Sequence, residues 1–388
     1  MKIMMFTAVS AAALMTAATA HAANYPYYGI PTSQSSARAA SSVDQTGDGN
    51  TASVDQTQSS SSDPQNTSVI VQGFDGVNAN GSSASVSQTG SGQRAVTMQV
   101  NGNASSTSQA GANNDAFTYQ TGSGNTANTA QSGTSAPSHT GNIAGVDGVA
   151  SVSGGDALAS SLASLNELQV ENATLTGINS PSDLNNESAS YIVQASNAAG
   201  NTATVNQSNP GERAAIVQAN YEFGSSAAVI QTSNNGDAFI HQDGGAYNAG
   251  SISQSGSYQT AAVYQYSSLG SIASINQSGI GQIGYAVQTG SSEQSYINQS
   301  NYGNQAKSTQ SGNNGYSLIN QSGTNGTGTV VQNGSFNTSY LTQTANADVT
   351  DVTQYGASNL SSVSQSLDSA WSHVAQNGSG NVSSVNQH

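Results

Sequence analysis

The sequence has no cysteine and, for a chain of 388 residues, few charged side chains. Charged residues make up 6% of the chain, against about 25% in ordinary soluble domains. Only 5 residues are Lys or Arg, while 20 are Asp or Glu, which gives a formal net charge of −15. Because the chain has no cysteine, disulfide bonds are excluded as a source of stability. An acidic chain also repels nucleic acid and anionic membranes, so we expect neither as a ligand.

The sequence also lacks the residue clusters that catalytic and metal sites require. The five histidines share no ligand spacing, so no metal or other cofactor is predicted. The scattered acids and few bases form no group suited to a polysaccharide lyase or hydrolase. Asp48 and Asp55 lie near glycines, but calcium-binding glycine-rich repeats have a period of about nine and an aspartate in each unit. An ice-binding stripe would need many Thr-x-Thr units, whereas residues 202–204 are an isolated case. The sequence predicts no enzyme.

What the sequence does contain is a glutamine that recurs at a nearly fixed interval. The step is eleven residues throughout the last part of the chain, 11 to 13 before that, and mostly 10 or 11 in an earlier block. A repeat this short cannot close a core of its own, so each unit must bury its inner face by stacking on its neighbours. The 26 glutamines are Gln45, Gln56, Gln72, Gln88, Gln99, Gln109, Gln120 and Gln131, then Gln194, Gln207, Gln218, Gln231, Gln242, Gln254, Gln265, Gln277, Gln288, Gln299, Gln310, Gln321, Gln332, Gln343, Gln354, Gln365, Gln376 and Gln387.

Each unit shows the alternation of a half-buried strand. Four residues before the glutamine, all 26 units have Ser, Ala, Gly or Thr, and two residues before it 20 of them have Val, Ile or Leu. The intervening residues are mostly polar, which is the period-two pattern of a β-strand. Eleven residues leave room for about seven strand residues and a turn of about four.

Glycine and asparagine recur between the predicted strands. Glycine is the commonest residue two positions after the glutamine, and asparagine is frequent six positions before it. Both residues tolerate the positive φ that tight turns need, so the turn chemistry agrees with the strand pattern. The asparagines are Asn50, Asn103, Asn125, Asn201, Asn304, Asn337, Asn359 and Asn381.

A buried glutamine needs a hydrogen-bond partner, because an unpaired buried amide costs about 1–3 kcal/mol. Glutamines stacked at about 4.8 Å supply one another with donors and acceptors, as in the amide ladders of cross-β stacks. We therefore predict an all-β solenoid of strand-turn-strand units, with two facing parallel in-register sheets and cross-β structure on assembly. The alternative is a disordered, glutamine-rich chain, and the in-register columns of small and β-branched residues argue against it.

The repeat divides the chain into segments. Residues 1–22 have the features of a secretion signal, with Lys2, an apolar run and the cleavage sequence Ala20-His21-Ala22. Residues 23–40 contain Pro26 and Pro31 and are interpreted as a flexible export segment. The two repeat blocks then cover 41–133 and 188–388. We expect a secreted protein that is not embedded in a membrane.

Residues 134–187 interrupt the repeat. Within this segment, leucines at helical spacing predict a short amphipathic helix, namely Leu158, Leu162, Leu165 and Leu168. The helix is expected to cover the flank of the solenoid, and the alternative is a site for a dedicated partner. A smaller irregularity at 59–65, a serine run followed by Asp63-Pro64, is predicted to be a loop insertion.

At the level of motif, the unit resembles the curlin repeat, Q-x-G-x-G-N-x-A-x-x-x-Q, of curli fibre subunits. The match is clearest from Gln45 to Gln56, from Gln120 to Gln131 and from Gln376 to Gln387. The resemblance implies a secreted functional amyloid with coils of about 22 residues, which polymerises at the bacterial surface into biofilm and adhesive fibres (curli fimbriae, or pili). It also implies partners: further copies of the chain, a nucleator subunit, and an outer-membrane secretion channel with periplasmic accessory proteins.

Two departures from that family are apparent. Familiar curli subunits have about five coils, whereas the 26 units here correspond to about thirteen, and their export segment is rich in glycine, whereas residues 23–40 are not. Two alternatives to a major subunit stay open, namely a minor nucleator of the same fibre and a monomeric β-solenoid adhesin. The weakly charged repeats resemble a major subunit more closely. Because the pattern persists to Gln387 without a polar cap, we expect the last coil to be a growing face.

Overall fold

The computed structural model describes residues 39–57, 66–73, 78–133, 188–194, 198–219 and 221–388, and all regular structure in these ranges is β-strand. The described residues contain 26 strands of six to nine residues, and each strand contains one of the 26 repeat glutamines. The strands are β1 Ala39–Gln45, β2 Thr51–Thr57, β3 Asn66–Gln72, β4 Ser83–Ser91, β5 Arg94–Gln99, β6 Ala104–Ala112, β7 Asn114–Gln120, β8 Thr126–Gln131, β9 Ser188–Gln194, β10 Thr202–Gln207, β11 Arg213–Ala219, β12 Ser226–Gln231, β13 Asp237–Asp243, β14 Ala249–Ser257, β15 Thr260–Tyr266, β16 Ile272–Ile280, β17 Ile283–Ser291, β18 Gln294–Gln299, β19 Gln305–Asn313, β20 Tyr316–Gln321, β21 Thr327–Ser335, β22 Thr338–Gln343, β23 Val349–Ala357, β24 Leu360–Gln365, β25 Trp371–Ser379 and β26 Val382–Gln387.

Several predicted segments lie outside the described residues. These are the signal sequence, the export segment apart from Ala39 and Ala40, which begin β1, the loop at 59–65, and the interruption at 134–187 with its leucines. The strands fall into two compact units. β1–β9 belong to the first and β12–β26 to the second, with the boundary within β10 and at the start of β11.

Both units are built from two parallel sheets that take alternate strands. In the first unit one sheet has the order β1-β3-β5-β7-β9 and the other β2-β4-β6-β8. In the second unit the odd-numbered strands from β13 to β25 form one sheet and the even-numbered strands from β12 to β26 form the other. Consecutive strands therefore lie in facing sheets, and two strands make one coil. The predicted all-β solenoid with two parallel sheets is confirmed.

The register places equivalent residues of the repeat directly above one another. Ile275 is the partner of Ile297, and Gln277 is the partner of Gln299, in the pairing of β16 with β18. In the first unit Gln56 is likewise the partner of Gln88. Parallel in-register pairing stacks like side chains, so each column of the repeat becomes a continuous row inside the protein.

A narrow core lies between the two sheets of each unit. In β16 burial alternates along the strand, with Ala273, Ile275 and Gln277 facing inward. The isoleucine column is fully buried, with both Ile275 and Ile297 at 0% exposure. Each such side chain contributes about 1.5–3 kcal/mol relative to an exposed one. The small residue that precedes it leaves room for the facing sheet.

The glycine two positions after the repeat glutamine is required by close packing between coils as well as by turn geometry. Gly312 has a φ of 145°, and a Cβ placed on it would lie 1.9 Å from the backbone oxygen of Gly334 in the next coil. No side chain can occupy that space. In this column a Cβ on each glycine from Gly290 to Gly356 would lie within 2.1 Å of the backbone oxygen one coil later, so these positions are restricted to glycine.

The interruption between the repeat blocks can be deleted to test whether the solenoid folds without it. Deleting residues 134–185 shortens the step from Gln131 to Gln194 from 63 residues to the regular eleven. We expect the variant to keep the β-sheet signal in circular dichroism and its cooperative unfolding, since loop length changes stability by only about 0.6 kcal/mol per doubling.

The control for this deletion replaces the same residues with a Gly/Ser linker of equal length, which separates the effect of length from that of sequence. Loss of β-structure in both variants would mean that the deleted segment is needed for β8 and β9 to form.

Candidate functional site

The repeat glutamines form hydrogen-bonded rows in both units, and these rows are buried except at Gln45, Gln56 and Gln387. Nε2 of Gln277 donates to Oε1 of Gln299 at 2.9 Å, and Nε2 of Gln299 donates to Oε1 of Gln321 at 2.9 Å. In the second unit, all fourteen bonds between successive glutamines measure 2.7–3.0 Å. The rows of the first unit are Gln45–Gln72–Gln99–Gln120–Gln194 and Gln56–Gln88–Gln109–Gln131–Gln207. Those of the second are Gln218–Gln242–Gln265–Gln288–Gln310–Gln332–Gln354–Gln376 and Gln231–Gln254–Gln277–Gln299–Gln321–Gln343–Gln365–Gln387.

Most of these amides also bridge the two sheets, which sequence reasoning missed. Nε2 of Gln277, in β16, donates to the backbone oxygen of Thr260 in β15 at 3.0 Å. Nε2 of Gln288, in β17, donates to the backbone oxygen of Ile272 in β16 at 2.9 Å. One N–H thus points along the stack and the other across the core, so both amide hydrogens are satisfied. The glutamine holds successive coils in register and also fixes the facing sheets.

The asparagine column forms a second row, and its predicted role was wrong. Among the described residues these asparagines are not at positive φ; that conformation occurs at the preceding position, as at Gly303 with a φ of 69°. Instead the buried Asn304 side chain accepts from the Gly326 backbone N–H at 2.8 Å and donates to the Ser300 and Gly323 backbone oxygens at 2.7 and 2.8 Å. The side chain therefore links the turns of successive coils.

The predicted asparagine positions share this arrangement. Asn50 accepts from the Ser82 backbone N–H at 3.0 Å, and Asn201 accepts from the Ser225 N–H at 2.8 Å. Asn125 and Asn381 each donate their backbone N–H to the asparagine one coil earlier, Asn103 at 2.9 Å and Asn359 at 3.0 Å. Asn125 and Asn201 are buried, whereas Asn50 and Asn381, in the outermost coils, are partly exposed.

Carboxylates take the place of asparagine in some coils. Reading six positions before Gln218, Gln299 and Gln354 finds Glu212, Glu293 and Asp348, all of which are buried. This signal was present in the sequence but was not used. These side chains can accept the turn N–H bonds as asparagine does, but an ionised carboxylate in a dry core is costly.

Among these buried carboxylates, Glu293 has a strongly raised pKa. It is 1% exposed, and Oε2 has no hydrogen-bond partner among the described residues. Burial raises the pKa of Glu293 to about 8, against a backbone hydrogen bond at Thr289 that lowers it. The residues directly above and below it in the column, Ser271 and Gly315, are uncharged.

Two other buried carboxylates are better supported by the turns. Oδ1 of Asp348 accepts from the Ala370 N–H at 3.1 Å, while burial raises the pKa of Asp348. Glu222, close to the same column, accepts from Asn248 Nδ2 at 2.9 Å and from the Gly245 N–H at 2.8 Å. The turns therefore tolerate acids when several N–H groups converge on them.

The outward faces also carry ordered side chains. Nδ2 of Asn276 donates to Oδ1 of Asn298 at 3.0 Å, and Nδ2 of Asn298 donates to Oδ1 of Asn320 at 2.9 Å. Asn320 therefore belongs to an outward amide row, whereas the side chain of Gln305 is exposed.

The inward rows lose their cover in the first and last coils. In β26 the inward residues Ser383, Val385 and Gln387 are only partly buried, whereas the inward residues of the neighbouring β24 are buried. In β2 the inward Ala52 and Val54 are likewise partly buried, whereas those of β4 are buried. No described glutamine continues the rows beyond Gln376 and Gln387.

In the described ranges, no group of three or more His, Cys, Asp or Glu residues is placed to hold a metal ion. None of the described segments is a helix with the length and apolar character required to cross a membrane.

Comparison with known proteins found no family model that matches this chain and no curated protein with significant similarity.

The glutamine row can be tested with one buried and one exposed glutamine. Replacing Gln321 with Ala removes the bonds to Gln299, Gln343 and the Gln305 backbone oxygen, and leaves buried partners unsatisfied. We expect a loss of about 1–3 kcal/mol in the free energy of unfolding, measured by denaturant unfolding. The control, Gln305→Ala, truncates an exposed side chain and keeps that backbone oxygen, so it should change stability by less than about 0.5 kcal/mol. Equal losses in the two variants would contradict the buried row.

The raised pKa of Glu293 predicts a contribution to the pH dependence of stability, and a single substitution should remove that contribution. Because the folded-state pKa lies above the unfolded value, neutral Glu293 favours folding below about pH 4.5 and this contribution is lost as pH rises towards 8. Glu293→Gln should therefore flatten the pH dependence of the free energy of unfolding by up to about 1.4 kcal/mol per pH unit in that window. Glutamine fits this position of the repeat, since Gln282 occupies the equivalent position before β17, in the facing sheet, and donates to the Ser278 backbone oxygen at 2.7 Å.

The control for Glu293 is Asp55→Asn, which removes a carboxylate from an exposed position. The free energy of unfolding of both variants is compared between pH 4.5 and 8, and equal flattening in the two would show that the effect does not depend on the buried carboxyl. An unaltered profile in Glu293→Gln would show that the buried carboxyl does not titrate in this range.

Proposed function

We propose that this chain is a structural subunit of secreted, curli-like amyloid fibres that self-assemble head-to-tail at the bacterial surface. The observation that carries the proposal is the match between the two outermost coils. The inward residues of β1 are Ser41, Val43 and Gln45. The equivalent residues of β25 are Ser372, Val374 and Gln376. The other sheet repeats this match, with a small residue, Val and Gln in both β2 and β26.

The inward residues of these first and last coils are also more exposed to solvent than those of the neighbouring coils. Val43 is 39% exposed. Ile70, its register partner in β3 and the next residue of the same column, is 0% exposed. Stacking the first coil of one copy on the last coil of another would cover both sets of inward residues. The contact joins two different surfaces and does not close on itself, which is the geometry that generates filaments.

Backbone hydrogen-bonding groups at the last strand support the same contact. The N–H groups of Leu360 and Ser366 donate to the oxygens of Asn381 and Gln387, each at 2.8 Å, so the odd-numbered residues of β26 face β24. In a parallel ladder the even-numbered residues, including Ser384, then direct their N–H and C=O groups to the opposite edge. No described strand pairs with that edge. Such an edge is a template for another strand.

The proposed fibre would be extracellular, contributing to biofilm matrix and adhesion. Export through an outer-membrane channel with periplasmic accessory proteins, and initiation by a nucleator subunit, are parts of the proposal that follow from the curlin resemblance. The motif agreement from Gln45 to Gln56, with Gly47, Gly49 and Asn50, supports it.

The direct experiment uses protein that begins at residue 23, at micromolar concentration, with thioflavin fluorescence and electron microscopy. The proposal predicts a lag followed by β-rich, dye-binding fibres, and a shorter lag when preformed fibres are added. A folded β-protein that remains monomeric for days would contradict the fibre and favour a monomeric adhesin. A protein that forms few fibres of its own but starts the polymerisation of another subunit would favour the nucleator.

A proline at the last edge tests the polarity of assembly. Ser384→Pro removes an edge N–H without removing a bond to β24, and proline is tolerated on edge strands in this orientation. We expect the variant to fold but to assemble at least about tenfold more slowly, because every head-to-tail contact uses this edge. At substoichiometric amounts it should also stop the growth of wild-type seeds at one end.

The control for the proline is Ser384→Ala, which changes the same outward side chain and keeps the N–H. An unchanged elongation rate in Ser384→Pro, with circular dichroism showing the same β-content, would exclude the edge of β26 from the growing face.

A further inference from the structure

The outward face of the even-numbered sheet in the second unit carries no charge. We define the even face as the residues one, three and five positions before the row glutamine in the even-numbered strands from β12 to β26. These eight strands present 24 such residues, and none of them is Asp, Glu, Lys, Arg or His. The corresponding odd-numbered strands from β13 to β25 carry Asp237, His241, Lys307, Asp351 and His373.

The even face is also uncovered along its whole length. Every one of its 24 residues is exposed or partly exposed. On the odd-numbered sheet, by contrast, the outward residues Phe239 and Tyr264 are buried, with 5% and 0% exposure. The even face therefore presents a continuous sheet surface with nothing packed on it among the described residues.

Apolar side chains are distributed over the whole even face. Ile230 is 46% exposed, Ile272 38%, Tyr340 42%, Leu360 36% and Val382 74%. Large apolar patches that remain exposed in a folded protein commonly mark interaction sites. Natural sheets usually place charged residues where they must avoid such contacts, and the even face has none.

Side chains on this face are held in ordered rows. The outward amide row from Asn276 to Asn320 runs along β16, β18 and β20. Beside it, the rings of Tyr296 and Tyr316 have centroids 5.8 Å apart, and those of Tyr316 and Tyr340 5.5 Å apart. Ordered side chains lose less conformational entropy on binding than mobile ones, so an interface that uses them is favoured.

The net charge of the chain and the area of the even face both favour a second copy of the chain as the partner of this face. In a chain of net charge −15, an uncharged face is the surface on which two copies can approach with least repulsion. Eight strands spaced about 4.8 Å apart, with about six residues at 3.3 Å each, give a face of roughly 750 Å² on each copy. Two such faces bury roughly 1,500 Å², which is the size of a standard protein–protein interface, about 1,600 Å².

We infer that the even face packs against the even face of a second copy, so that filaments associate side by side in pairs. Rows on both copies repeat with the same strand spacing, so their side chains can interdigitate along the full length of contact, as in steric zippers. The inference rests on the proposed fibre function, because the rows of many copies line up only in an assembled filament. It adds a lateral contact that is distinct from head-to-tail stacking.

The test introduces the same charge on either face. The even-face variant is Ser253→Glu with Ser364→Glu, and the matched odd-face variant is Thr309→Glu with Thr353→Glu. All four positions directly precede a row glutamine and point outward, and each variant adds two negative charges. Elongation of seeds is followed by thioflavin fluorescence, and filament pairing by mass-per-length measurement in scanning transmission electron microscopy.

We expect the wild type and the odd-face variant to form filaments with twice the mass per length of a single filament. The even-face variant should elongate seeds within about twofold of the wild-type rate but give single filaments. Because the added repulsion is electrostatic, pairing should return at about 1 M salt, where the screening length falls to about 3 Å.

Three results would overturn the inference while leaving the fibre proposal intact: single wild-type filaments, paired even-face filaments, or equal loss of pairing in both variants. Failure of the wild type to elongate at all would instead refute the proposed function.

Discussion

The structure depends on the hydrogen bonding of one buried side-chain amide. A glutamine carboxamide offers two N–H donors, and both must be satisfied when it is removed from water. Here one N–H reaches the next glutamine in the row and the other reaches a backbone oxygen of the facing sheet, as at Gln277. Both bonds form only if the neighbouring coil lies in register. A shift by one residue would turn the whole inward set to the outside.

Other features of the repeat follow from that constraint. The small residue four positions earlier, such as Ala273, brings the facing backbone close enough to accept the second N–H. The isoleucine or valine between them fills the remaining width of the core and supplies the hydrophobic contribution. Asparagine side chains such as Asn304 extend the same principle to the turns. The fold is thus stabilised by columns of like residues, and a charged residue in a column, such as Glu293, makes stability depend on protonation.

In a stack of this kind every coil offers the next one the same columns of inward residues, so nothing in the repeat itself limits the number of coils. An interior coil of either unit is covered by two neighbours. The first coil of the first unit and the last coil of the second each have one described neighbour, so Val43 and Val385 keep part of their surface in water. A second copy offers the same columns in the same order. This is why the proposal of self-assembly needs no surface other than the one that already holds the coils together, and why lateral association would require a separate face.

The sequence alone was sufficient to predict the strands and their stacking, because a period of about eleven and an alternation of two are local properties of the chain. Each predicted glutamine is found in one strand, from Gln45 in β1 to Gln387 in β26. The cross-sheet bond of the amide could not be predicted, since it depends on the distance between facing sheets. The role of asparagine was wrong because positive φ belongs to the preceding residue, as at Gly303, which is a property of the folded turn. The outward row through Asn320 was missed because exposed polar residues give no periodic burial signal.

The central claim is that the amide rows continue from one copy to the next. The most direct measurement is solid-state NMR on fibres grown from a mixture of two preparations, one with ¹⁵N-labelled and one with ¹³C-labelled glutamine side chains. Segmental labelling, with the label confined to a ligated C-terminal segment that contains Gln387 in the first preparation and to an N-terminal segment that contains Gln56 in the second, would report on the joint itself. The account predicts a short-range contact between the Nε2 of Gln387 and the side-chain carbonyl of Gln56 across the junction. Fibres that form without this contact, with Gln387 in a solvent-exposed environment, would contradict it.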